Sequence, residues 1–450
     1  MRQMNIRLEE QPVLPDHTTA TVARSATPDL ESPASRNFAL MALYQVVMRT
    51  GWIFKTESII MPAVLDSLGC GPMVRGFLPL LNRLGQSVPP MLMARRVKVA
   101  PRKKYLMSAC AFSMAAVFFA LALLWSRWGS QPPVWLPVAF LACYAVFFVS
   151  TGVHQICFTT LQGKLVRTTR RGRLMLVASL VGAISACSFA AVFMPTWLAT
   201  GGGQFQYIFA FSACCFLLAA LGALLMREDR DTHAEAATSV ARVFEAARDT
   251  LRHDRNFRRL AWVAALFGVS VMLFPHYQAL ARERLGMSFT NMTMWVIVQN
   301  AGTAFFSILM GPIADRRGNR LVLWCVLITI CVAPISALVL SYSGNLGSQL
   351  FPLVFVVVGL TPVVIKTLHN YTLEISPPAD HPRYLSTLSL CFAGPVILSP
   401  LVGCAVGWLG FDVVFLALTV FVVAGWWLSF GLVEPRHKRH VHAQDELPLG

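Results

Sequence analysis

The sequence predicts an all-α integral membrane protein of about twelve transmembrane helices in two six-helix halves. Three observations carry this expectation. Of 450 residues, 56% are hydrophobic and only 13% charged, more apolar than a soluble core requires. The apolar residues fall in runs near the twenty that a bilayer-crossing helix needs. The excess of Lys and Arg, a formal charge of +16, collects in short clusters between those runs instead of one basic domain, which speaks against a nucleic-acid binder.

The first set of expected spans covers 37–66, 73–93, 104–126, 133–160, 174–198 and 205–227. The second covers 259–284, 288–311, 319–341, 350–375, 384–409 and 411–433. This divides the chain into an N-terminal half (37–227), a linker (228–258) and a C-terminal half (259–433), with cytoplasmic tails at 1–36 and 434–450. The first tail is rich in Pro, Ser and Thr, lacks the plan of a cleaved signal peptide, and is expected to be flexible. In the linker, Val240, Val243, Phe244, Ala247 and Leu251 recur at helical spacing among charged residues, predicting an amphipathic helix on the membrane surface or across the halves, with a solvated spacer as the alternative.

Basic loops stay on the cytoplasmic side. Arg95, Arg96, Lys98, Arg102, Lys103 and Lys104 follow span 2, Lys164, Arg167, Arg170, Arg171 and Arg173 follow span 4, and Arg316, Arg317 and Arg320 follow span 8. The opposite loops carry Arg127 and little else, so both termini are expected in the cytoplasm of a multi-pass protein of the plasma (inner) membrane. Trp125, Trp128, Trp135 and Trp197 fall at the outer span ends, where indoles favour headgroups. The eleven cysteines show no metal-ligand spacing and read as small hydrophobes, and no disulfide, metal or cofactor is expected.

The segment Gly311-Pro-Ile-Ala-Asp315-Arg316-Arg317-Gly318-Asn319-Arg320 resembles the cytoplasmic Gly-x-x-x-Asp-Arg-x-Gly-Arg-Arg signature of the major facilitator superfamily. It lies between the second and third spans of the second half, as that resemblance requires. Its glycines allow a tight turn and close helix approach, and Asp315 is suited to cap a helix start or pair with Arg316 or Arg320. The counterpart at 90–104 keeps the basic residues but has Ala94 at the Asp position. The resemblance implies two halves around a central cavity lined by spans 1, 4, 7 and 10 and exposed to each side in turn.

An ionisable side chain in hydrocarbon costs at least about 2.5 kcal/mol, so those retained face partners or water. They concentrate on these four spans: Arg49, Lys55 and Glu57; His154 and Gln155; His276, Tyr277 and Gln278; Lys366, His369, Asn370 and Tyr371. Lys366, His369 and Asn370 share one helix face. Lys55 and Glu57, two residues apart on a continuous helix, would point nearly opposite ways. Glu57, the one acid well inside, is the candidate proton carrier, or else a salt-bridge partner of Arg49 or Arg83. Asn82, Arg83 and Gln86 on span 2 read as helix-packing polar residues or substrate contacts, and Pro275, Pro362 and Gly394-Pro395 as bends.

The functional expectation is a monomeric, proton-coupled secondary transporter of a small organic solute, its cavity leaning toward anionic or zwitterionic ligands, with no covalent chemistry. The alternatives are a multidrug exporter or a transport-inactive sensor or assembly factor of the same fold. A nucleotide-driven pump would need a phosphate-binding loop, and no Gly-x-x-x-x-Gly-Lys-Ser/Thr occurs. An enzyme would need a convincing catalytic cluster, and Asp380-His381 reads as a solvated turn.

Overall fold

The computed structural model describes residues 33–199, 203–231, 240–377 and 380–434. The tail expectations therefore lie outside the described residues, apart from 33–36, which open the first helix, and Glu434. The described chain is helical throughout, with no strand.

The N-terminal half contains α1 (Pro33–Ile53), α2 (Ile60–Ser67), α3 (Pro72–Arg75), α4 (Phe77–Val99), α5 (Lys103–Trp128), α6 (Leu136–Leu165), α7 (Thr168–Leu198) and α8 (Phe205–Leu224). The linker holds α9 (Val240–His253). The C-terminal half contains α10 (Arg255–Val271), α11 (Phe274–Leu285), α12 (Asn291–Arg317), α13 (Asn319–Ser341), α14 (Gly344–Leu350), α15 (Pro352–Val358), α16 (Thr361–Ile375), α17 (His381–Val396) and α18 (Ser399–Ser429).

Nine segments of the described chain are long and apolar enough to cross a membrane. The last, His381–Ser429, is 49 residues long, more than twice the length one crossing needs, and turns inside α18 at Gly410, whose φ of 79° suits only glycine. The segments at 33–67 and 72–99 fall outside the nine, being interrupted and polar. Several expected spans are broken helices. Pro275 and Pro362 stand in the first turns of α11 and α16, where the missing N–H costs nothing and the ring excludes the preceding helical carbonyl.

One packing pattern serves both halves. In the first, α1 packs on α7 and α8, α5 on α8, and α4 on α6. In the second, α10 packs on α17 and α18, α13 on α18, and α12 on α15. Glycines set the closest approaches in both. A Cβ on Gly152 would strike the Gly85 carbonyl oxygen between α6 and α4, and one on Gly359 would strike the Gln299 carbonyl oxygen beside α12. The halves meet through α7 with α12, α4 with α17, α3 with α18 and α2 with α11.

At the basic-loop face, the buried Glu228 carboxylate accepts the backbone N–H groups of Lys103 (3.0 Å) and Lys104 (2.8 Å), capping α5 from the end of α8. Lys164 of α6 reaches both Glu228 (3.3 Å) and Asp231 (2.8 Å). Hydrogen bonds from Lys103 and Lys164 hold the Asp231 carboxyl down at about 2. The second half repeats the placement. Gly318, at φ 89°, leaves room for the Glu434 carboxylate beside the start of α13, where a Cβ would lie 2.8 Å from it.

Three sequence expectations change here. Asp315 does not cap a helix start: it lies in the last turn of α12, and the cap of α13 is Gly318. Gly311 provides no close approach, since a Cβ there meets open space, and only Gly318 supplies the tight turn. Arg320, in the first turn of α13, donates to the Phe430 carbonyl (2.9 Å) and lies over Trp324. Trp125 is buried against Phe205 and Phe209 instead of facing headgroups.

Replacing Gly152 with Val should push α6 off α4 and cost about 2 kcal/mol. Thermal melting of the detergent-solubilised protein should show a lower midpoint for G152V. Gly222→Ala, where a Cβ meets nothing within 4 Å, should not lower it.

Candidate functional site

The site begins with a break. Between α1 and α2 the chain leaves the helix over 54–59. Pro62, in the first turn of α2, explains why: in a continuous helix its ring would collide with the Ser58 carbonyl and leave that carbonyl unbonded. The freed groups are satisfied locally. The Ile53 carbonyl accepts from the Thr56 hydroxyl (2.5 Å), and the Thr56 carbonyl accepts the N–H groups of Ile59 (3.3 Å) and Ile60 (2.8 Å). Helical spacing no longer governs Lys55 and Glu57, which lie within electrostatic reach of each other without forming an ion pair.

Lys55 is 2% exposed, its ammonium 3.6 Å from the centre of the Trp52 ring and 4.4 Å from that of Phe148. The aromatic faces offer the cation a partner in place of water. One Glu57 carboxylate oxygen accepts from the Asn82 amide, whose own oxygen accepts from Gln86 one turn along α4. The expected ion pairs of Glu57 with Arg49 or Arg83 do not form. Arg49 rests against Gly182 of α7, and the Arg83 guanidinium lies 4.4 Å over the Phe392 ring of α17, reaching across to the other half. Arg83 Nε is buried without a hydrogen-bond partner, and the buried Tyr144 hydroxyl and second Glu57 oxygen, close enough to interact with each other, form no well-aligned bond. His369 on α16 is within electrostatic reach of Arg83.

The remaining sequence candidates divide. Lys366 is exposed and His369 and Asn370 half-buried along one face of α16. Gln155 is exposed on α6, half a turn of the helical wheel from exposed Val146, and so on the side away from that apolar face. His154 is buried, bonded to the Tyr44 hydroxyl and stacked on Tyr44 and Phe158. Tyr371 donates to the Val433 carbonyl (2.5 Å) and is a packing residue. His276, Tyr277 and Gln278 do not join the central group. Tyr277 packs edge-on against Phe415, and the other two belong to a second cluster.

That cluster joins the halves at the face opposite the basic loops. Asp66 at the end of α2 accepts from Arg75 of α3 (3.2 Å) and, across the divide, from Gln278 (2.7 Å) and Arg282 (3.5 Å) of α11. Arg75, 3% exposed, also reaches Glu283 (3.6 Å). Ser58 donates to Gln299 (2.6 Å), and the backbones around Gly76 and Gly403 press on Ser399 and Pro72. Nearby, Arg284 grips Asp412 with two hydrogen bonds (2.8 and 2.6 Å), and the Tyr342 hydroxyl donates to the same carboxylate (2.7 Å). Counting basic residues by loop overlooked this cluster, because Arg75, Arg282 and Arg284 sit at helix ends paired with acids. The available signal was Asp66, Arg75, Glu283 and Asp412 lying near span ends.

Asn82→Ala should leave the buried Glu57 carboxylate without its hydrogen bond and cost about 1–3 kcal/mol. Melting curves should order wild type above N82A, and N82A above N82D, which would set a second carboxylate beside Glu57.

Residues 272–449 match the family model described as Major Facilitator Superfamily. No curated protein sequence matches the chain. Among solved structures, the nucleoside transporter NupG superposes with a TM-score of 0.65 at 11% identity, covering 88% of this chain and 98% of its own. A bacterial homologue of the human lysosomal transporter Spinster, inward-facing and unoccupied, gives 0.64 at 13% identity over 89% and 97%. The human organic anion transporter MFSD10 gives 0.58 at 14% over 89% and 100%. At such identities the likeness is one of fold. Nine-tenths of the chain thus shares the fold of these solved transporters, and residues 272–449 resemble the Major Facilitator Superfamily in sequence.

Proposed function

We propose that the protein is a secondary transporter that moves a small organic solute by alternating access, coupled to protons, with twelve spans and both termini in the cytoplasm. The observation that carries this reading is the unwound, buried segment beside α4. There Arg83 Nε lacks a partner, and the Tyr144 hydroxyl and a Glu57 oxygen, though within reach of each other, form no well-aligned bond. Buried polar atoms left unpaired are costly, and a ligand or water that pairs them recovers that cost. Lys55, Arg83 and Lys366 outnumber Glu57, which favours an anionic or zwitterionic solute. The likeness to the human organic anion transporter MFSD10 runs in the same direction.

In this mechanism an anionic group on the solute accepts from Arg83 Nε and the Tyr144 hydroxyl, drawn in past Lys366, His369 and Asn370 on α16 and Gln155 on α6. Arg83 touches Phe392 of the opposite half, so neutralising it alters a contact between halves. Glu57 holds the proton: an anionic group beside it, and the matching of the Arg83 charge, both favour the protonated carboxyl, so solute and proton bind together. The Asp66 cluster closes the face opposite the basic loops, leaving access from the basic-loop side. The proposed site of action is the plasma membrane, as a monomer.

Adding pooled metabolites and drugs to the reconstituted protein should make wild type take up protons, and Glu57→Gln should abolish that uptake while its melting curve stays cooperative. Unchanged uptake by E57Q would remove Glu57 from the coupling step. No uptake by wild type with any pool would favour a transport-inactive protein of the same fold.

A further inference from the structure

His276 takes no part in the central site, yet its environment is unusual. It is 0% exposed, and neither ring nitrogen has a hydrogen-bond partner. It stands on α11 two residues before Gln278, whose amide holds Asp66 across the divide, and within electrostatic reach of the Arg75 guanidinium. Pro275 precedes it in the first turn of α11, just after the interruption at 272–273. The charged groups around it are Asp66 on α2, Arg75 on α3, and Arg282 and Glu283 on its own helix. Of the other elements packed on α11, α13 brings the thiol of Cys331 to the neighbouring Tyr277, α18 brings Phe415 to Tyr277 and Asp412 to Arg284, α14 carries no ionisable group, and α4 carries Arg83, with Arg95, Arg96 and Lys98 at its far end.

We propose that His276 is a proton-binding site linked to the opening of this face: the proton binds when the Asp66 cluster parts, and binding holds the halves open there. An imidazolium carries two N–H donors. In the closed arrangement neither would meet an acceptor, and the new charge would lie beside Arg75, whose own charge is already matched by Asp66 and Glu283. When α3 and α11 separate, water reaches both nitrogens and this penalty disappears. A ligand that binds one of two conformations shifts the equilibrium toward it. Acid on this face therefore favours the open arrangement, and the effect begins as pH falls through the ordinary histidine value of about 6.5. One linked proton changes the open-to-closed ratio by up to about tenfold per pH unit below that value. The linkage depends on the closing cluster and not on Glu57, so it holds whether or not a solute is moved.

The test is a distance measurement by double electron–electron resonance between nitroxides at Met73 and Ser288, both exposed at this face, one in each half. The full chain, with its native cysteines replaced, is reconstituted in lipid nanodiscs without added solute. A longer-distance population should grow as pH falls from about 8 to about 5. His276→Gln, which keeps a polar side chain but cannot take the proton, should show the same short distance at high pH and no growth over this range. Asp66→Asn should show the longer distance at every pH. Equal growth in H276Q would place the responsive group elsewhere and overturn the proposal. So would a pH-independent distance in the unsubstituted background, or a D66N variant that stays closed.

Discussion

Hydrocarbon supplies no hydrogen bonds, so every backbone amide within it must find a partner inside the protein. That constraint explains both the helices and the places where they stop. Non-helical backbone at membrane depth is tolerated only where neighbouring groups satisfy it, and the break at 54–59 meets that condition through the Thr56 hydroxyl and carbonyl. The same break releases Lys55 and Glu57 from helical spacing. The candidate centre is thus a consequence of where Pro62 forbids a helix from continuing.

Charge follows an equally strict rule. At the central break the acid is bonded to Asn82 and the base is caged by rings, so neither charge consumes the other. At the face opposite the basic loops the reverse holds. Asp66 accepts from three donors, and Arg284 and Asp412 pair with both ends engaged. Removing one member of a buried pair costs about 3–5 kcal/mol, enough to bias a protein with two arrangements toward one of them. Paired charges join the two halves at one face, while at the break each charge is held by neutral groups.

The two halves reach the same close approaches with little shared sequence. Gly85 against Gly152 is matched by Gly359 against the Gln299 carbonyl of α12, while only in the first half does a carboxylate, Glu228, take the N–H groups at the start of the third long helix among the described residues. Backbones can approach this closely only where no Cβ intervenes, and a helix N-terminus leaves N–H groups that a carboxylate can take. The need for glycine recurs because the packing recurs.

The sequence by itself determined the class of protein: its length of apolar runs and its basic clusters required a helical membrane fold, and the Gly311–Arg320 segment carried a resemblance to the major facilitator superfamily. It also concentrated attention on Lys55, Glu57, Lys366 and His369, since ionisable groups are rare in hydrocarbon and therefore conspicuous. Only the tertiary structure decided that the helix carrying Lys55 and Glu57 breaks, that Asn82 and not an arginine holds Glu57, that Tyr371 serves packing, and that Gln278 meets Asp66 across the two halves. Burial cost depends on composition along the chain and is legible there. Partnership depends on which helix ends meet across the two halves, and a helix broken by proline no longer obeys the spacing from which a sequence infers its faces.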